Sequence, residues 1–164
     1  MAKEFHYKWE WDLESSPEAL WPLVSDTNRF NRETGLPPME LMGISNGVKL
    51  VRFKTPWIRI EWEEEPFEWT YPYRFGILRR YRKGPFAEMR VDCRLEPLQP
   101  SGARLIYETS VKSANFLGEL VIPLAIGMFS VRKFGAIFTR YDRIASLGGP
   151  VLSVVRARNL SLAG

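Results

Sequence analysis

The chain holds one cysteine and one histidine in 164 residues. With Cys93 alone, no internal disulfide can form. With His6 the sole imidazole, a zinc site built from His and Cys is excluded. His6 also falls on the polar face of a strand, so no Ser-His-Asp set can be assembled around it. Strong charge of one sign is missing too: 23 Lys and Arg stand against 19 Asp and Glu, interspersed rather than clustered, for a net charge of +4. That is not the footprint of a nucleic-acid binder. Gly84-Pro85-Phe86 has neither a following helix nor a Lys-Ser/Thr pair, so it is a turn and not a phosphate loop. The opening residues MAKEFHYKWEWD are polar and alternating, not a secretory signal. Together with the single thiol this leads us to expect a cytoplasmic protein. The longest apolar run, Phe116 to Val131, is interrupted by Glu119 and Pro123. It reads as a buried helix rather than a membrane span, so no stable membrane insertion is expected.

Aromatic side chains are plentiful, at 13% of residues with 6 Trp and 10 Phe. Rings in such number fill wide interiors or line apolar pockets. The segment from Trp57 to Phe86 carries three of the tryptophans, with rings alternating with charge. It predicts strand, Pro turn, strand, turn, strand.

Residues 4 to 13 alternate, placing Phe5, Tyr7, Trp9, Trp11 and Leu13 on one face of a half-buried strand. Ser16 is suited to cap a short helix, with Pro17 at its first position and Glu18 at its positive end. Asp26 is suited to cap a second one that ends at Gly35. Asn46-Gly47 predicts a hairpin between Met39–Ile44 and Val48–Lys54. Further strands are expected over Trp57–Glu64, Phe67–Tyr71, Arg74–Arg82, Met89–Leu95 and Ala103–Val111. From Asn115 the period changes to three and four: Phe116, Leu120, Leu124, Val131, Phe134, Phe138 and Tyr141 predict one long amphipathic helix, bent at Pro123 and stopped by Gly148-Gly149-Pro150. The expected architecture is α+β, a curved antiparallel sheet of about six or seven strands wrapped around that helix. Residues 1–149 form a single domain in this reading, and residues 150–164 a tail or linker.

Two segments add a resemblance. Ser16-Pro17-Glu18-Ala19-Leu20-Trp21-Pro22-Leu23-Val24-Ser25-Asp26 resembles the first helix of the helix-grip superfamily, which includes polyketide cyclases, START-type lipid carriers and birch-pollen-allergen-like proteins (the SRPBCC superfamily). Trp62-Glu63-Glu64-Glu65-Pro66-Phe67-Glu68-Trp69 with Arg79-Arg80-Tyr81-Arg82-Lys83-Gly84-Pro85 resembles a bacterial subgroup also found N-terminal to class III adenylate or guanylate cyclase domains. The resemblance covers roughly residues 3 to 147. It implies a hydrophobic small-molecule ligand, a lipid or polyketide-like compound, held between sheet and helix. It also leaves open a cyclase/dehydratase enzyme and a regulatory module of a larger signalling protein. A superfamily this broad speaks to fold more than to function. No cofactor and no metal is expected, no nucleic-acid partner is expected, and the oligomeric state is left undetermined.

Alternation assigns the interior. Met89, Val91, Cys93 and Leu95 face in, as do Leu105, Tyr107, Thr109 and Val111; the intervening charges form a mixed-sign ladder outside. Cys93 then reads as an inert buried thiol. In Arg79-Arg80-Tyr81-Arg82-Lys83, Arg79 and Tyr81 follow Phe75 and Ile77 inward. A buried arginine needs a partner, and Glu64, on the face of Ile58, Ile60 and Trp62, is the candidate. The same alternation separates Glu64 from Glu61, Glu63 and Glu65, so the run is no cation cage. The Arg79–Glu64 pair has two readings, a structural ion pair or a polar anchor for ligand oxygen. Tyr81 and Tyr107 are the available phenols. The candidate ligand-binding set is Trp62, Glu64, Trp69, Phe75, Arg79, Tyr81, Met89, Tyr107, Phe116, Leu120, Leu124 and Phe134, with no catalytic residue assigned. The mouth of the pocket is expected near the short helices and the start of the long one.

Overall fold

The computed structural model describes residues 2–54, 56, 59–128 and 130–161, and the side chains of all of these except Phe67 and residues 149–161. Trp57 and Ile58 lie outside the described residues, so their expected place at the head of a strand has no counterpart here. The elements are β1 (Glu4–Leu13), α1 (Pro17–Val24), α2 (Thr27–Glu33), β2 (Met39–Ser45), β3 (Val48–Phe53), β4 (Glu61–Thr70), β5 (Arg74–Lys83), β6 (Phe86–Pro97), β7 (Ala103–Ser113), α3 (Phe116–Ile122), a π-helical segment (Pro123–Met128) and α4 (Ser130–Ser161). The seven strands form one sheet in the order β1-β7-β6-β5-β4-β3-β2, and every pairing is antiparallel.

Local chemistry accounts for the punctuation. Ser16 Oγ accepts from the Ala19 N–H and Asp26 Oδ1 from the Arg29 N–H, so both short helices start where their caps stand. Asn46 and Gly47 both take positive φ, 51° and 79°, the geometry that a tight hairpin matched to strand twist requires. One expectation needs correction in β4. Instead of two strands parted at Pro66, a single strand runs from Glu61 to Thr70 with a bulge between Pro66 and Glu68. A proline has no N–H to offer a ladder, and a bulge absorbs it without ending the strand.

The outer face of the sheet is the expected charge ladder. Arg74 pairs with Asp92 at 2.7 Å, Arg94 with Glu108 at 2.6 Å, and Arg104 with Asp12 at 2.7 Å; Arg80 and Arg82 pair with Glu65 and Glu63. Pairs this exposed contribute about 0–1 kcal/mol each. His6 is on this face, with Nδ1 2.9 Å from Ser110 Oγ.

The inner face is covered by α1, α2 and α4. The main core joins Leu20, Trp21 and Phe30 of the short helices to Phe75, Val91, Cys93, Leu95, Leu105 and Tyr107 of the sheet and Ile137, Phe138 and Tyr141 of α4. A smaller core of Val51, Ile60 and Trp62, with Met39, Phe53, Tyr81 and Phe86 against it, occupies the β2–β4 side.

The long helix departs from expectation. Phe116, Leu120 and Leu124 do not face the sheet: they are 72%, 53% and 52% exposed, in line with Leu117 and Met128 on the same solvent side. Ile122 is the buried residue in this stretch, together with Gly118. A Cβ on Gly118 would lie 2.1 Å from the Pro85 carbonyl oxygen. The cause is the π segment. An α-helix turns about 100° per residue, and a π turn, whose hydrogen bonds close one residue later, turns roughly 20° less. Over the six residues Pro123–Met128 the helix falls back by about 120°. On an unbroken helix Leu120 would share a face with Phe134; after the set-back Ile122 does. A second departure lies at the far end, where α4 runs to Ser161, beyond the stop expected at Gly148-Gly149-Pro150. The helical stretch Phe116–Gly148 is long and apolar enough to cross a membrane by length and composition, and it extends past the apolar run Phe116 to Val131.

The two faces of this helix make different demands. Leu120→Ser and Leu124→Ser should each shift stability by no more than about 0.5 kcal/mol, whereas Phe138→Ala should cost about 3–5 kcal/mol. Urea denaturation of the three variants compares them, and a loss of core size at Leu120 would put that side chain back on the sheet.

Candidate functional site

Between the two cores lies a cavity of about 320 Å³, near the low end of the roughly 300–1,000 Å³ typical of ligand sites. Its floor is the middle of the sheet: Phe75, Ile77, Arg79 and Tyr81 of β5, Phe86, Met89 and Val91 of β6, Tyr107 and Thr109 of β7, with Phe53 of β3 at one side. Its walls are Val24, Thr27, Phe30 and Asn31 of the short helices and Phe134 and Phe138 of α4. Thr34, Gly35, Leu36, Ala125, Ile126, Ser130 and Lys133 complete the lining. Of these Gly35, Leu36, Ala125 and Lys133 are exposed, so the mouth opens between the end of α2 and the π segment.

Register explains why the floor is built this way. Ile77, Val91 and Thr109 lie across from one another on adjacent strands, as do Phe75, Cys93 and Tyr107, and Arg79 is opposite Met89. Since side chains alternate between faces along a strand, two rows of neighbouring residues come to one surface. The rings are close-packed: Phe30 is 5.0 Å from Phe134 and 5.6 Å from Tyr107 between centroids, and Phe134 is 5.3 Å from Tyr107.

Arg79 is the unusual member, a guanidinium only 8% exposed in the centre of the sheet. Its Nε donates to Glu64 Oε2 at 2.7 Å, and Glu64 is its partner in the β4–β5 register. The same carboxylate oxygen accepts from Trp62 Nε1 at 3.2 Å. The indole also lies under the guanidinium, with Arg79 Cζ 5.5 Å from the ring centroid. Burial disfavours the charged guanidinium, but Tyr81, Glu64 and Tyr107 outweigh it and hold its pKa above the ordinary arginine value. The two phenols respond to burial by moving up: Tyr81 is raised chiefly by desolvation, against the pull of Arg79, and Tyr107 likewise. Both are therefore neutral O–H groups at physiological pH. Tyr81 makes a weak contact to Met89 Sδ at 3.8 Å. Thr109 is 4% exposed, and its Oγ1 has no hydrogen-bond partner among the described residues.

Of the twelve residues the sequence singled out, the structure brings Phe75, Arg79, Tyr81, Met89, Tyr107 and Phe134 to the cavity wall. Trp62 is fully buried behind Arg79, between Phe53 and Tyr81, and Glu64 stands behind the guanidinium. Trp69 is 57% exposed and packs on Trp21 at the α1 end, outside the cavity. Phe116, Leu120 and Leu124 are outside it for the helical reason given above. Sequence reasoning missed the walls supplied by α2, Phe30 and Asn31, and by the π segment, Ala125 and Ile126. Phe30 carried a usable signal, being the one large apolar residue on a polar seven-residue helix. Cys93 is buried, with its thiol pushed up by desolvation. Among the described residues no group of three or more His, Cys, Asp or Glu is placed to hold a metal ion.

No family model and no curated protein matches the sequence. Solved structures match the fold. The Zhui aromatase/cyclase from Streptomyces sp. R1128 superposes with a TM-score of 0.68 at 10% identity, covering 90% of this chain and 99% of that one. A conserved protein from Geobacillus kaustophilus gives 0.61 at 15% identity over 85% and 96%. Ara h 8.0201 gives 0.58 at 11% identity over 87% and 98%. The chain has the helix-grip α+β fold.

The buried pair sets a stability prediction. Arg79→Leu leaves the Glu64 carboxylate without its cation and should destabilise the protein by about 3–5 kcal/mol. Arg79→Leu combined with Glu64→Leu should recover most of that loss, because an apolar pair carries no buried charge. Thermal or urea unfolding of both variants decides; a double variant no better than the single one would mean the pair is not coupled as described.

Proposed function

We propose that this protein binds a hydrophobic small molecule, lipid or polyketide-like, in the cavity between the sheet and the long helix. The observation that carries the reading is the cavity itself: an aromatic, largely apolar chamber open at one end, with a buried arginine on its floor. A core that existed only for stability would close such a space, since interiors pack densely and voids are destabilising. The likeness to an aromatase/cyclase and to Ara h 8.0201 supports a ligand-binding use of the fold, though at 10–11% identity it reaches no further than the fold.

Binding without turnover is the reading favoured here. General acid–base chemistry near neutrality uses a group whose pKa lies close to the working pH. The titratable groups on the described lining are Arg79, Tyr81, Tyr107 and Lys133, and burial moves both phenols away from neutrality. A cyclase or dehydratase is the second reading, because Arg79 and Tyr107 on the lining are donors of the kind that stabilise an enolate oxygen.

Two measurements test the proposal. Native mass spectrometry of protein purified from its host should find a copurified apolar compound. Val91→Phe, which puts a ring into the cavity from the middle of β6, should weaken uptake of an apolar fluorescent dye by tenfold or more while the protein stays folded. Unchanged dye binding in a folded Val91→Phe protein would place binding elsewhere. Turnover of a polyketide-like ketone that is lost in Tyr107→Phe with binding retained would favour the enzyme.

A further inference from the structure

Among the described residues nothing covers the outward side of the long helix. Phe116, Leu120, Leu124 and Met128 follow one another at intervals of four, so they stand in one row along it. All four are exposed, Met128 to 67%, and Leu117 and Val131 beside them are exposed as well. Single apolar side chains at a surface mean little, but a contiguous row rimmed by polar groups marks a contact surface.

Charge indicates what the contact is. From Phe116 to Tyr141 the one acid is Glu119, in the first turn of α3. The cations Arg132, Lys133 and Arg140 follow it, and all are exposed. Arg132 is the next member of the row after Met128. Arg143, also exposed, lies about three turns further along on the same side. Its neighbour Asp142 is engaged elsewhere, accepting from the Glu14 and Ser15 N–H groups at 2.9 Å. The outward side is therefore apolar in its first half and cationic in its second.

That combination fits a bilayer surface with anionic headgroups. A helix lying in such an interface buries apolar side chains at the acyl boundary and sets Lys and Arg against the headgroups. A second copy of the chain fits less well. In a two-fold pair both copies present the same side, so each would bring Glu119 alone against its partner's cations. A spanning arrangement is excluded by the opposite side of the helix. Ile122, Ile137, Phe138 and Tyr141 are buried in the protein, so the Phe116–Gly148 stretch, though long enough to cross, offers lipid only its outward side while the domain is folded.

We propose that the outward side of α3, the π segment and α4 docks on the surface of an anionic lipid bilayer, with the row from Phe116 to Met128 at the acyl boundary and Arg132 and Arg143 against the headgroups. This surface does not depend on what the cavity holds.

Co-sedimentation with two kinds of vesicle tests it: phosphatidylcholine alone, and phosphatidylcholine with about one quarter phosphatidylglycerol. The wild type should bind the mixed vesicles about tenfold or more tighter than the neutral ones, and raising salt from about 0.05 M to about 0.5 M should weaken that binding. Leu120→Ser combined with Leu124→Ser should lose about tenfold or more in affinity for the mixed vesicles with its urea midpoint little changed. Arg132→Gln combined with Arg143→Gln should remove most of the preference for mixed vesicles. No binding to mixed vesicles overturns the proposal, as does equal binding to both kinds, or unchanged binding in the folded Leu120→Ser, Leu124→Ser protein. A wild type that sediments as a dimer and becomes a monomer in that variant also overturns it, and assigns the row to an interface between copies.

Discussion

A sheet with one apolar face must be covered, and in this chain the cover depends on a change of phase inside one helix. A single α-helical period running through α3 and α4 would turn Leu120, not Ile122, to the side of Phe134. The π segment Pro123–Met128 between them sets the second half back relative to the first. Because of it, Ile122 and Phe134 both turn toward the sheet while Phe116, Leu120 and Leu124 turn away. The same segment supplies Ala125 and Ile126 to the cavity lining. π-Helical insertions recur at functional sites. Cover, solvent ridge and cavity mouth therefore have one local cause.

The second dependence is electrostatic. Two separate cores, one around Phe75, Tyr107 and Phe138 and one around Val51, Ile60 and Trp62, meet at Arg79. A charge there would be untenable in an apolar seam without Glu64, and Glu64 would be untenable without Arg79 and the Trp62 N–H. The indole does two jobs: it donates to the carboxylate and lies under the guanidinium. An apolar pair would close the seam more cheaply. Keeping an ion pair gives the cavity a fixed donor whose position is held by the β4–β5 register rather than by a flexible loop.

How much of this was legible in the sequence follows from the period of each element. On strands the period is two, and a residue's face is settled by counting from any neighbour. That is why Arg79, Tyr81, Tyr107 and Thr109 were assigned inward correctly, and why Glu64 was found as the partner: no irregularity separates Trp62 from Glu64. It fails where the chain departs from that period, as at the Pro66–Glu68 bulge, which the sequence shows merely as a proline. On the helix the period is 3.6, and a face is settled only if no turn is irregular. Phe116, Leu120 and Leu124 match the spacing of Phe134 and Phe138, and a π turn leaves no residue signature that a count by three and four detects. Trp69 has a different cause. It is on the inner side, opposite Phe75, but the sheet continues past the edge of the cavity there, and sequence does not reveal where along a strand a cavity ends.

The likeness to solved structures has its own physical limit, and the floor of the cavity shows where it falls. A helix-grip architecture requires an apolar inner face, two capped short helices and one long covering helix, and many sequences meet those demands, as identities of 10–15% indicate. None of those demands asks for an arginine in the centre of β5 or a hydroxyl without a partner at Thr109. Such groups weaken the core as a core. On the proposed reading, what they gain is an interaction with a bound ligand. The fold therefore explains that a cavity exists, and the proposed ligand binding rests on residues that the fold does not need.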